Sequence, residues 1–240
     1  SYLGDGLSLS GYYKNNDDLD IEIQTSNLFV SNFLLINKNP ITGRINSSIR
    51  LDRDSENRTF DFNSNITNVK IKNYDIGEFN LKVFGNTDYN SYAVNLDLSK
   101  KGKEFIKGEG TVIAITEKPN IDIDLVINDF DISFIEKIGL NTMTDISSNV
   151  SGEINLWGAF DNIQHNGRLS LDKSSFFIPY LNIEYFLSDN SELILYNQNF
   201  ELNNTSLTTN DSEIITSLDG RIFHNDYKNW NLDLDFKSDR

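Results

Sequence analysis

The chain has no cysteine in 240 residues and only three alanines, Ala93, Ala114 and Ala159. The first absence excludes a disulfide scaffold and a thiolate-ligated zinc site. The second, beside 33 asparagines, argues against a mainly helical protein. Ala is the strongest helix former, whereas Asn competes with the helix backbone and prefers turns and caps. Positive charge is scarce: 21 Lys and Arg face 36 Asp and Glu, a net charge of -15. That balance leaves little basic surface for nucleic-acid phosphates or anionic lipid surfaces. Long apolar runs are missing too. The longest, such as Phe33–Ile36, reach four residues, and Phe176–Ile178 has three, far short of the ~20 residues a membrane-spanning helix needs. There is no initiator Met and no leader pattern, so the chain is expected to be an excised piece, with any signal or anchor segment outside it. Hydrophobic residues make up 38%, which predicts a thin or open core.

What fills the chain is period-two alternation, the mark of strands with one apolar and one polar face. Leu19-Asp-Ile21-Glu-Ile23, Phe60-Asp-Phe62, Phe79-Asn-Leu81-Lys-Val83, Tyr92-Ala-Val94-Asn-Leu96-Asp-Leu98, Ile121-Asp-Ile123-Asp-Leu125-Val-Ile127 and Trp230-Asn-Leu232-Asp-Leu234-Asp-Phe236 all show it. Turn-forming clusters precede many of these stretches, among them Lys14–Asp17, Arg53–Asn57, Gly85–Asp88, Glu117–Asn120 and His224–Asn229. The prediction is an all-β antiparallel meander of sixteen strands, with 212–218 and 219–224 as separate strands. One short helix is expected near 131–139: Ile132, Ile135 and Ile138 share a face behind Asp129 or Asp131 and before Gly139. Residues 140–149 read as a loop. The whole of 1–240 is expected to be one continuous segment, with strands over 1–128, helix and loop over 129–149, and strands over 150–240.

Catalytic constellations are hard to find, and a non-enzyme without metal or cofactor is expected. The only histidines, His165 and His224, stand among polar residues and read as solvated turn residues. Gly108-Glu-Gly110 reads as a bulge or close strand packing rather than a phosphate cradle. Asp122/Asp124, Asp129/Asp131 and Asp233/Asp235 invite comparison with calcium ligands or a glycosidase pair. Alternate residues of one strand, however, point the same way at about 6.5–7 Å spacing, which suits a solvated face. Asn-x-Ser/Thr occurs at Asn46, Asn57, Asn65, Asn149, Asn203 and Asn204, a weak signal in so Asn-rich a chain.

Over residues 150–236 a more specific pattern emerges. Gly152-Glu-Ile154-Asn-Leu156-Trp-Gly158 is followed by Phe160-Asp-Asn-Ile-Gln-His-Asn-Gly167-Arg-Leu169-Ser-Leu171, then Phe177–Tyr185, Phe200-Glu-Leu202, and Leu218-Asp-Gly220-Arg-Ile222-Phe-His224 leading into Trp230. This ordered set resembles the C-terminal region of the TamB family, the inner-membrane subunit of the translocation and assembly module, within the AsmA-like group and in its Bacteroidota-type form. The resemblance implies a half-pipe sheet (a β-taco) with an apolar groove, and a periplasmic bridge carrying phospholipid between inner and outer membranes. It further implies an inner-membrane anchor outside this segment and an outer-membrane partner barrel of the TamA/BamA type. Phospholipid acyl chains would then meet a stripe without polar interruptions. The nominated lining is Ile21, Ile23, Phe60, Phe62, Leu81, Val83, Val94, Leu96, Ile121, Ile123 and Leu125, continuing with Ile154, Leu156, Leu169, Leu171, Leu193, Leu195, Leu232 and Leu234. Asp20, Asp61, Asp97, Asp122, Asp124, Asp233 and Asp235 carry the opposite phase and should face water. Two rival readings stand beside this one: a closed β-sandwich binding carbohydrate or protein at the cell surface, and a structural spacer in outer-membrane protein assembly.

Overall fold

The computed structural model describes residues 6–15, 18–30, 41–54, 58–114, 118–138, 143–210, 212–225 and 228–238, with backbone alone at 137–138, 212–215 and 228–230. The run Phe33–Ile36, the expected helix stop Gly139, residues 140–142 of the expected loop and parts of several predicted turns lie outside the described residues.

Alternation becomes strand throughout. The elements are β1 (Gly6–Asn15), β2 (Asp18–Phe29), β3 (Ile41–Arg53), β4 (Arg58–Ile71), β5 (Tyr74–Asn86), β6 (Ser91–Lys100), β7 (Lys103–Ile113) and β8 (Asn120–Asp131). A single helical turn, α1 (Ile135–Ile138), follows, and then β9 (Thr144–Ala159), β10 (Asn162–Ile178), β11 (Ile183–Leu187), β12 (Ser191–Asn197), β13 (Asn199–Thr209), β14 (Ser212–Asn225) and β15 (Lys228–Ser238). All fifteen strands join one hydrogen-bonded sheet in chain order, except that β11 and β12 both lie between β10 and β13. Ser175–Ile178 of β10 pair with β11 and His165–Leu171 with β12, so the two short strands share one slot end to end. The expected antiparallel meander is present.

Three boundary expectations are corrected. Residues 212–225 form one strand, with Asp219 and Gly220 paired to Asp235 and Leu234 rather than turning the chain. Gly220 stands there because a side chain would collide with Leu234. Residues 144–149 are strand rather than loop, with Ser148 and Ser174 buried and sharing a hydroxyl hydrogen bond of 2.6 Å. The helix is shorter than expected. Asp131 Oδ1 accepts a hydrogen bond from the Ser133 backbone N–H (2.9 Å), a local cap just before the turn.

Bulges interrupt the pairing, several of them at asparagine. Among the described residues, eight of the thirteen non-glycine residues with positive φ are Asn, the side chain that best tolerates this region. Asn27, Asn68, Lys173 and Asn204 each stand at a register shift. Each inserts one residue, so the apolar phase continues from Ile66 to Val69 and from Leu202 to Thr205 and Leu207.

Packing divides the chain into two compact units, Ser1–Ile123 and Asp124–Arg240, the boundary falling within β8. In the first, Leu19, Ile76, Val94, Leu98, Ile121 and Ile123 are buried. In the second, Phe176, Tyr185, Leu207 and Leu218 form a core, against which Met143, Ile146 and Leu234 pack. Each such fully buried aliphatic side chain contributes roughly 1.5–3 kcal/mol. Among the described residues no helix is long and apolar enough to cross a membrane.

Candidate functional site: the apolar face

Cross-strand register places the nominated residues outside β8 on one face of each unit. In the first unit Leu9 pairs with Ile23, Ile23 with Ile49, Ile49 with Phe62, Phe62 with Val83, and Val83 with Val94. This apolar row crosses six strands and ends against Gly110 of β7. A parallel row joins Ile21, Leu51 and Phe60, and another joins Ile45, Ile66, Phe79, Leu98 and Ile106. Most of these side chains are half-buried, while Val94 is only 2% exposed. Ile121 and Ile123 are buried in alternation with exposed Asn120 and Asp122.

Between these rows runs the correction to the expected uninterrupted stripe. Thr25, Ser47 and Ser64 are in register on the apolar face, followed in the same row by Leu81 and Leu96. Thr25 and Ser47 share a hydroxyl hydrogen bond of 2.8 Å, whereas the buried Ser64 hydroxyl has no hydrogen-bond partner. A strand over 44–51 is expected from the sequence, but Ile45, Ile49 and Leu51 of β3, which stand in these rows, are not among the nominated residues. Ile49-Arg-Leu51 alternates and would have revealed two of them.

In the second unit Leu169 pairs with Leu193, Leu193 with Leu202, Leu202 with Gly220, and Gly220 with Leu234. Ile154 and Leu195 both face Gly167, Leu195 pairs with Phe200, Phe200 with Ile222, and Ile222 with Leu232. Leu156 is opposite His165 and Leu171 opposite Val150. Leu125 is half-buried, Leu169, Leu171 and Leu195 are buried, and Leu232 is exposed. Leu234 packs against the core of its unit.

Both histidines depart from expectation. His165 in β10 is 1% exposed and His224 in β14 is 6% exposed. They occupy the apolar phase of their strands, His165 with Leu169 and Leu171, His224 with Leu218 and Ile222, and the phase places them inside despite their polar sequence neighbours.

The opposite face is polar and carries two concavities. One of about 680 Å³ in the first unit is floored by Asn65, Asn80 and Asp97. Asn65 Nδ2 donates to Asn80 Oδ1 (2.7 Å), and Asn80 Nδ2 donates to Asp97 Oδ2 (2.9 Å). A second of about 980 Å³ lies over Glu153, Asn155, Asn166 and Arg168 of the other unit. Ion pairs cover this face: Arg50 with Asp20 (3.4 Å), Arg168 with Glu192 (2.8 Å) and Lys237 with Asp235 (3.1 Å). Exposed pairs of this kind contribute little net stability. Lys107 holds the Glu109 carboxyl below its ordinary range through a hydrogen bond and its charge. The carboxylates considered for calcium are engaged by donors: Asp124 by Asn155 (3.0 Å) and Asp129 by Asn149 (2.6 Å). Among the described residues no three His, Asp or Glu side chains are arranged to hold a metal. No protein-family model, curated protein or solved structure matches the chain.

Proposed function

We propose that the chain is a segment of a bridge-like phospholipid conduit of the TamB type, in which acyl chains lie along the apolar face and head groups stay in water. The observation that carries this reading is the row from Leu9 to Val94, in which each strand contributes one apolar residue in direct register. Each CH₂ removed from water contributes about 0.8 kcal/mol. A row of similar side chains repeated every ~4.8 Å offers an acyl chain a series of nearly equal positions. Sliding then needs no catalyst. Half-pipe curvature around this face, a periplasmic location, an inner-membrane anchor and an outer-membrane barrel partner belong to the same proposal and rest on the resemblance of residues 150–236.

The test is a photo-crosslinking residue at Phe62 or Leu81, with controls at Asn63 and Lys82, in the full chain expressed in cells. Phospholipid adducts at the first two alone are expected. Equal labelling of both faces, or none, removes the conduit. The second reading, a binding module, is favoured by one observation: the amide ladder flooring the 680 Å³ concavity on the polar face. It predicts glycan or protein adducts at Asn63 and Lys82 with none at Phe62.

A further inference from the structure

Charge is sorted along β2, β3 and β4. Neither residues 23–51 nor residues 62–74 contain an Asp or Glu, although acids outnumber bases 36 to 21 in the chain. The same two stretches hold Lys38, Arg44, Arg50, Lys70 and Lys72. Antiparallel register gathers Asp20, Glu22, Asp52 and Asp61 towards one end of these strands. Arg44 and Lys70 stand towards the other, Arg44 opposite Phe29 and Thr67, Lys70 opposite Thr42. The sign of charge at that end is therefore the reverse of the chain's own.

Phe29, Thr42, Gly43, Arg44, Asn68 and Lys70 line a concavity of about 310 Å³ there, at the small end of the range for ligand sites. One residue separates Thr42 from Arg44 on β3, whereas two separate their partners Lys70 and Thr67 on β4. The extra residue is taken up at Asn68, with φ 53°. The Arg44 guanidinium is placed from two sides: its Cζ lies 3.5 Å from the centre of the Phe29 ring, and its Nη1 donates to the Asn27 carbonyl (2.8 Å). Neither partner carries a charge, so these contacts fix the position of the group and leave its positive charge in place. The Lys70 side chain is exposed. Across from it on β5 stands Asp75, which Lys100 engages at 3.5 Å.

We propose that this concavity is a phosphate site: Arg44 and Lys70 hold the anionic oxygens of a phosphate group, with the Thr42 hydroxyl and the Asn68 amide as neutral donors beside them. A planar guanidinium grips phosphate oxygens in pairs, and an ammonium adds a point charge. The phosphate belongs either to a lipid head group or to a free phosphate ester, and the chemistry of recognition is the same for both. The net charge of -15 repels anions from the chain as a whole, so a phosphate that binds does so through a local site. The site stands or falls independently of the lipid conduit, because inorganic phosphate carries no acyl chain.

The test is a titration of the full chain followed by amide NMR at about 150 mM ionic strength, where diffuse attraction is screened. The probes are inorganic phosphate and, separately, dihexanoylphosphatidic acid below its micellar concentration. Saturable shifts are expected at Thr42–Arg44 and Asn68–Lys70, with a Kd of about 1 mM or tighter for inorganic phosphate. Arg44→Gln and Lys70→Gln should each weaken binding at least about tenfold, the worth of one charged hydrogen bond, whereas Lys107→Gln should not. Tighter binding of the lipid, with added shifts at Ile41, Ile45 and Ile71, assigns the site to a head group; equal or weaker binding assigns it to a free phosphate ester. Absence of saturation by about 10 mM phosphate, shifts centred on other lysines, or unchanged affinity in either folded Gln variant would overturn the site. Should Arg44→Gln not fold, Lys70→Gln decides alone, because that side chain is exposed.

Discussion

Phe60 of β4 and Tyr92 of β6 meet edge to face, with centroids 5.3 Å apart and planes at 72°, although a whole strand separates them. The residue between them is Gly85, the register partner of Phe60, and its missing side chain is what lets the rings touch. A double-mutant cycle with Phe60→Ala and Tyr92→Ala should return a coupling of about 1 kcal/mol in urea unfolding. Gly85→Ala should remove most of that coupling, because its Cβ would lie 3.2 Å from Tyr92 Cδ1 and 2.9 Å from the Ser91 carbonyl oxygen. Additive single mutants would show that the rings merely sit side by side.

Gly110 is a close approach of backbones. A Cβ there would fall on the Asp122 carbonyl oxygen and 2.6 Å from Ile123 Cα. The expectation of close strand packing at Gly108-Glu-Gly110 holds at this glycine. Gly110→Ala should cost roughly 2–3 kcal/mol. Gly102→Ala, at a turn with φ +78° and open space around it, should cost only about 1 kcal/mol from its backbone conformation. Comparison of the two unfolding midpoints separates steric from conformational cost, and equal losses would contradict the account.

Ser64 reverses the usual sign of a core truncation. Its hydroxyl is buried without a hydrogen-bond partner, so Ser64→Ala should raise stability by about 1 kcal/mol. Ser47→Ala removes the bond to Thr25 and should lower it by a similar amount. Opposite shifts in thermal midpoint are expected, and a loss in both variants would mean that Ser64 contributes through packing alone.

The strands were legible because alternation is a backbone property that survives a weak apolar content. Residues 144–149 were not, since the inward positions there include Ser148, buried by pairing with Ser174 rather than by hydrophobicity. The Asp219-Gly220 pair read as a boundary because Gly usually marks a turn, yet here it clears space for Leu234. The bulge at Asn68 shifts the phase by one residue, which strict alternation treats as the end of a strand. Most of the candidate face was legible from the phase alone. The hydroxyl step at Thr25, Ser47 and Ser64 was not, because it lies across strands rather than along one.

Among the described residues the apolar row ends at β1, at one end of the hydrogen-bonded order, and Leu9 is 72% exposed. Strands of this kind recruit others through their unpaired backbone groups. Leu9→Lys should therefore weaken concentration-dependent association, read by sedimentation, by roughly tenfold or more, the worth of one buried leucine. No change would locate any association elsewhere.

From β1 to β10 every successive strand neighbours the one before it, so a hairpin can be gained or lost there without re-routing any other strand. The shared slot of β11 and β12 is different, because β10 and β13 each span both short strands and all four must change together. Length is therefore an adjustable property of the strands before β10, free to vary in steps of one hairpin, while β10–β13 form a fixed module that is kept or discarded whole.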